Sequence, residues 1–250
     1  MKNIIIFTLL FLSSTFVFAN PVWVQYDFNA GTPQNASNIV AATDKLMSSS
    51  FAKKNFKGSL HLNAWIANGN SEATHSFAVL QPSLTEHEKW MNSLQSDQAG
   101  QDFFTVLYEN STPVFQRVNS FIQTYGNPSN EDVYWEVHKF VAKPSDLEEI
   151  IDSHADMDSR IKDNFPGQFG LSAVSFGSEP DVTHLLTVGF SSMAELESWE
   201  DSVATNGPVQ HFLEEMDDLV TWTGSGVLFN ARVYDSASDL EQFVTKDFEE

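Results

Sequence analysis

The sequence predicts an α+β fold in which two tandem β-α-β-β-α-β units pack sheet to sheet as a barrel within one chain. Two observations carry this prediction. A sparse signature occurs twice at an offset of 109 residues, in "THSFAVLQPSLTEHEKW" and "THLLTVGFSSMAELESW", sharing Thr74/Thr183, His75/His184, Ser83/Ser192, Glu86/Glu195 and Trp90/Trp199. Around it, both copies order their strand-like and helix-like stretches identically. Such a period marks a duplicated supersecondary unit.

The first strands, "VWVQYDFNA" and "VYWEVHKFVA", are rich in aromatic and β-branched residues. "TPQNASNIVAATDKLMSSSFAKK" and "KPSDLEEIIDSHADMDSRIKDNF" follow with helical spacing and a proline near the start of each. "SLHLNAWIA" and "HSFAVLQP" alternate across "NGNSEA", and "GLSAVSF" and "HLLTVGF" flank "GSEPDV", so each pair reads as a hairpin. Ser83 and Ser192 each precede a glutamate by three positions, the capping-box pattern of a second helix. A further short helix follows around "DFFTVLYEN" and "VQHFLEEMDDL", and "FQRVNSFIQTY" and "GVLFNARVY" close the units as strands. Matches such as Gly58/Gly167, Leu62/Leu171 and Tyr125/Tyr234 keep the 109-residue offset, whereas the first strands need a slightly larger one. The repeats are expected at 20–128 and 129–236, joined through the turn-rich "YGNPSNED", with an acidic tail at 237–250.

The N-terminus, "MKNIIIFTLLFLSSTFVFANPVW", has one lysine, an apolar run and small residues before a turn. It reads as a secretory signal peptide at 1–19, cut after Ala19, because the run is shorter than the roughly 20 residues that span a bilayer. The mature chain is then periplasmic or secreted, with no membrane contact after cleavage. There is no cysteine, which excludes thiolate metal sites and cysteine nucleophiles and leaves folding to the core. Thirteen basic against 34 acidic side chains give a net charge of −21, a surface that repels nucleic acid. "SHADMD" and "EEMDD" read as solvated helix faces. A phosphate loop, a nucleophile elbow and an HExxH motif are all absent.

A four-stranded sheet covered by helices on one face leaves the other face bare, and a second copy covers it. This β-α-β-β-α-β order is the ferredoxin-like unit. With its duplication, the chain resembles the dimeric α+β barrel superfamily in a fused form, over nearly the whole mature length. The resemblance implies a monomer. Members of that superfamily include antibiotic-biosynthesis-type monooxygenases, stress-responsive barrel proteins and haem-handling proteins such as chlorite dismutases. It carries no catalytic motif onto particular residues here, and the cofactor stays open.

Candidate site residues come from the signature and from the differences between copies. Trp90 and Trp199 fall two turns into a helix, where they can pack on a sheet. His75 and His184 begin strands beside a threonine, either as strand-edge hydrogen-bonding groups or as a pseudo-symmetric pair serving a ligand. The second copy carries Glu136 and His138 where the first has Val24 and Tyr26, and Asn230 and Arg232 where the first has Phe121 and Gln123. A carboxylate beside an imidazole, with Arg and Asn to hold an oxyanion, makes a plausible polar cluster. Glu136, His138, His184 and Arg232 are thus the catalytic candidates, and His75, Trp65 and Asn230 the ligand-binding ones; alternatively, these are edge or packing residues. His154 and Asp158 stand four apart but supply too few ligands for a metal. The expected function is binding or transforming a small, partly apolar molecule between the repeats, in a monooxygenase-like or haem-linked reaction. The alternative is a non-enzymatic exported interaction or stress-related protein with a packed barrel interior.

Overall fold

A computed structural model describes residues 21–126, 131–161, 165, 167–177 and 181–235. The expected signal peptide, the acidic tail and part of the linker lie outside the described residues. Strand β1 (Val22–Asn29) leads into α1 (Pro33–Ser48) and the short α2 (Ser50–Asn55), then β2 (Ser59–Ala67), β3 (His75–Gln81), α3 (Leu84–Ser96), α4 (Gln98–Asn110) and β4 (Thr112–Gly126). The second copy repeats the order with β5 (Tyr134–Ala142), α5 (Leu147–Ile161), β6 (Gln168–Phe176), β7 (His184–Phe190), α6 (Met193–Val203), α7 (Gly207–Leu219) and β8 (Val220–Asp235). One helix was expected after β1, but Ser49 ends α1 and caps α2, its Oγ accepting from the Ala52 N–H.

The eight strands close into an antiparallel barrel in the order β1-β3-β2-β8-β5-β7-β6-β4. Two seams join the repeats, β2 against β8 and β4 against β6. The closing strands β4 and β8 run to 15 and 16 residues, longer than expected. Each contributes to a seam as well as to its own repeat, and bulges bend both to follow the curvature.

Strand alternation sends successive side chains to opposite faces. The helix-facing side is apolar. Phe28, Leu60, Leu62, Phe77 and Val79 pack with Ile39, Leu46, Trp90 and Phe103 in the first repeat. Phe140, Leu171, Leu186, Val188 and Phe190 pack with Ile150, Met157, Phe212 and Met216 in the second. The signature tryptophans belong to these layers: Trp90 stacks on Phe51 at 5.7 Å, and Trp199 meets Phe165 edge-on at 4.7 Å. Only half of each expected capping box forms. Ser83 and Ser192 accept from the N–H of Glu86 and Glu195, but Glu86 turns to Lys57 and Lys89, and Glu195 accepts from Ser191.

The "SHADMD" run is not a solvated face. His154 is completely buried, its Nδ1 2.7 Å from the Ile150 carbonyl and its ring 4.8 Å from Phe212, while the Asp158 carboxylate accepts from the Gly126 N–H. The charge of the run hides a buried stripe of Ile150, Ser153, His154, Met157 and Ile161 at helical spacing.

Candidate functional site

The repeated Thr-His pair is a structural stitch. In both copies the threonine N–H donates to the carbonyl of Phe28 or Phe140, and its Oγ1 accepts from the N–H of Ala30 or Ala142. The same Oγ1 lies 2.8 Å from Nδ1 of His75 or His184, and each imidazole stacks on the phenylalanine, at 5.7 and 5.5 Å. The pair thereby ties the end of a hairpin to the end of the repeat's first strand. Both histidines face the helices, and burial pushes both pKa values down. They do not meet across the barrel. Thr183→Val removes the acceptor for the Ala142 N–H and should cost about 2 kcal/mol. Thr74→Val should cost less, because Thr74 is exposed and water can take over its acceptor role, as urea unfolding of the two variants would show.

Glu136 and His138 are neighbours, with His138 Nε2 3.4 Å from Glu136 Oε2, but they share the parity of Phe140 and so face the helices rather than the barrel interior. His138 meets Trp222 edge-on there. Arg232 pairs with Asp44 of α1 at 3.5 Å, on the other repeat. The expected cluster of Glu136, His138, His184 and Arg232 is therefore divided between two outer layers. A bulge between Leu62 and Asn63 sets Arg232 outward and Asn230 inward.

The other parity lines the barrel, and here Trp65 and Asn230 do lie. The first repeat supplies Trp23, Gln25 and Asp27 from β1, His61, Asn63 and Trp65 from β2, Ser76 from β3, and Arg117 and Asn119 from β4. The second supplies mainly small and apolar groups, including Val137, Val174, Leu185, Gly226 and Leu228. Three tryptophans, Trp23, Trp65 and Trp135, pack with Val137, Val174, Val182, Leu185 and Leu228 as an inner cluster. The first repeat thus carries most of the interior's polar side chains, and the second most of its small ones, with Asn230 and Lys139 as exceptions.

Arg117, 2% exposed, organises the first repeat's polar wall. Its Nε and Nη2 donate to Gln25 Oε1 at 3.2 and 2.7 Å, and Gln25 Nε2 donates to Asp27 Oδ1 at 2.7 Å. The guanidinium lies 5.9 Å from the ring centres of both Trp23 and Phe115. Burial pushes the Asp27 pKa up, opposed by the Gln25 hydrogen bond, the Arg117 charge, the nearby Trp65 N–H and the Lys139 charge. The Trp65 N–H falls short of a full hydrogen bond. Burial holds the His61 pKa down, against Asp235 and the Asn230 amide. Asn63 Nδ2 donates to Ser76 Oγ at 3.2 Å.

Many polar atoms of this interior have no protein partner. They are Nε1 of Trp23, Trp65 and Trp135, Oγ of Ser59, Nε2 of His61, and Oδ1 of Asn63 and Asn119. Buried polar atoms are normally paired, so a concentration of unpaired ones indicates water or a ligand between them. Two surface hollows lie elsewhere. One of about 410 Å³ is lined by Met91, Phe104 and Tyr108 on α3 and α4, and one of about 210 Å³ by acidic side chains of α5 and α7. Among the described residues, no group of three or more His, Cys, Asp or Glu side chains is arranged to hold a metal.

No protein-family model matches the sequence, and no curated protein matches it. Solved structures do match its fold. An anthrone oxidase-like protein superposes with a TM-score of 0.60 at 12% identity, over 88% of this chain and 95% of its own. A candidate monooxygenase from Lactobacillus acidophilus NCFM gives 0.60 at 10% identity, over 87% and 97%. A heme-binding protein from Thermus thermophilus gives 0.51 at 8% identity, over 84% and 90%. The chain has the fold of the dimeric α+β barrel proteins, with both halves on one polypeptide.

Proposed function

We propose that this chain is an exported barrel protein, monomeric after cleavage behind Ala19, that binds a small, partly apolar molecule between its two sheets. One observation carries the reading: seven unpaired buried polar atoms share the barrel's inner face with three indoles and an ordered Arg117–Gln25–Asp27 chain. The indole N–H groups supply donors, the two asparagine oxygens supply acceptors, and Val137, Leu185 and Leu228 supply an apolar wall. That combination suits a compact ligand with an apolar body and one or two polar ends. For a proton-transfer reaction, His61 is the imidazole placed to exchange a proton with such a ligand, since burial disfavours its charged form and its Nε2 is unpaired.

The monooxygenase-like and heme-binding fold relatives are consistent with small-molecule chemistry. Haem itself fits poorly. The ring of His154, whose Nε2 is also unpaired, is enclosed by Phe212 at 4.8 Å, Tyr125 at 6.0 Å and Phe169 at 6.4 Å. His61 shares its wall with Arg117 and the indoles. A porphyrin would have to displace these side chains at either place.

The packed, non-enzymatic reading has its own support, because the indoles fill much of the interior. A Cβ on Gly189 would lie 3.0 Å from the Trp135 ring, and one on Gly226 3.0 Å from the Trp65 ring. Native mass spectrometry of the mature chain from an exporting host, combined with titration of phenol and benzoate against indole fluorescence, separates the two readings. The binding reading expects a retained organic molecule or a saturable fluorescence change that Trp65→Phe weakens at least about tenfold. An empty chain with unmoved fluorescence overturns it in favour of the packed barrel.

A further inference from the structure

The two repeats share one fold, yet residues at equivalent positions on their inner faces differ in size and charge in a coordinated way. Trp65 corresponds to Val174, and Arg117 to Gly226, both at the 109-residue offset. The first strands correspond at 112 residues, as the matched stitches at Phe28 and Phe140 fix, so Asp27 corresponds to Lys139. Trp65, Gly226, Arg117 and Val174 stand on the seam strands β2, β8, β4 and β6, whereas Asp27 and Lys139 face inward from β1 and β5, within each repeat's own sheet.

At the β2–β8 seam Trp65 is opposite Leu228, and its ring lies over Gly226 so closely that a Cβ there would be 3.0 Å from Cζ3. At the β4–β6 seam the equivalent pairing sets Val174 opposite Asn119, two positions from Arg117. One seam thus joins a large residue of the first repeat to a glycine of the second. The other joins a large residue of the first repeat to a smaller one of the second. Pairing two first repeats would bring Trp65 against Arg117 at both seams, where the space of Gly226 is missing, and would put Asp27 at both symmetry-related positions. Pairing two second repeats would set Val174 against Gly226, leaving voids, and would place Lys139 at both positions. In the observed pairing Lys139 favours the ionised form of Asp27.

We propose that the inner faces of the two repeats form a matched pair, in which the first repeat accepts only a second repeat as its partner, set by Trp65–Gly226 and Val174–Arg117. The repeats are therefore not interchangeable halves. Another copy of the chain can substitute only by offering its second repeat to the first repeat of its neighbour, never by like-with-like pairing. This inference does not depend on whether a ligand occupies the barrel.

A double-mutant cycle on the full chain tests the match. Val174→Trp alone places a second indole beside Arg117 and should lower Tm by about 5 °C or more. Arg117→Gly alone should lower it as well. Together they make the β4–β6 seam a copy of the β2–β8 seam, so adding Val174→Trp to Arg117→Gly should raise Tm and keep the chain monomeric by light scattering. If Arg117→Gly alone does not yield folded protein, the double variant is still expected to do so. A Val174→Trp loss of equal size in both backgrounds, or a double variant that fails to fold, overturns the proposal.

Discussion

Arg117→Met should lower stability by about 3 kcal/mol or more, the scale of breaking a buried charge cluster by removing one partner. For a chain of this length that is a fall in Tm of about 10 °C. The guanidinium is 2% exposed and donates twice to Gln25, which in turn holds Asp27. Methionine fills comparable space but donates nothing, so Gln25 Oε1 loses both donors and the buried Asp27 loses a nearby cation. The second half of the result identifies the cause. Asp27→Asn combined with Arg117→Met should be more stable than Arg117→Met alone, because the neutral amide no longer needs a countercharge. Should Arg117→Met melt within about 2 °C of the native chain, the polar wall contributes little to stability.

Acid should destabilise the protein between pH 6.5 and 4, before most carboxylates protonate. Burial pushes His87 and His154 down to about 4, from an ordinary value near 6.5. In that window the unfolded chain binds protons that the folded chain refuses, so stability is full above pH 6.5 and falls as pH drops toward 4. Each histidine contributes a loss of about 2.5 kcal/mol between pH 7.5 and 4.5. His61, His75 and His184, also pushed down by burial, act in the same direction. Asp132 opposes them. Burial raises it to about 6, so it takes up a proton more readily folded than unfolded and returns about 2 kcal/mol over the same range. Asp27 and Glu200, whose carboxyls burial also pushes up, act with Asp132, so the net is a loss smaller than the buried histidines alone would give, measured as the pH dependence of urea-unfolding free energy. His154→Leu should flatten the slope whatever it does to absolute stability. An unchanged slope would mean that His154 is not protonated on unfolding in this range.

The duplication, the element order and the barrel were legible because they rest on patterns repeated along the chain. The matched Thr74-His75 and Thr183-His184 recur for a backbone reason, since each threonine pairs with main-chain groups of its repeat's first strand. The inner face was harder to read. Glu136 and His138 stood out as polar residues on a strand, yet they share the parity of Phe140, and helices cover the more apolar side of a strand. In β1 the same rule makes Val24, Tyr26 and Phe28 the covered side and Trp23, Gln25 and Asp27 the inner one. In β5 that rule misleads, because Trp135 and Val137 make the uncovered side look the apolar one, and only the packing of Phe140 among the helices shows that Trp135, Val137 and Lys139 face inward. Arg117 sits among the mixed residues of β4, and only the register with β1 places it beside Gln25. Trp65 stood out as an aromatic outside the shared signature and Asn230 as a difference between the copies; the register places both on the inner face, while a bulge in the β2–β8 seam makes a residue count along β8 unreliable for Arg232.

Closure of the barrel has a consequence for behaviour in a crowded solution. Each of the eight strands has a bonded neighbour on both sides. Among the described residues the overhanging starts of β4, before Val118, and of β8, before Val227, pair on one side alone, but no whole strand is left to recruit another chain by edge-to-edge addition, the route by which open sheets seed cross-β aggregates. Growth of such an aggregate would first require one of the two seams to unzip. Mutual repulsion between chains carrying a net charge of −21 would then oppose the encounter. Protection from fibril formation is therefore mainly a property of topology in this protein, secured without a disulfide, with Pro113 on the overhanging start of β4.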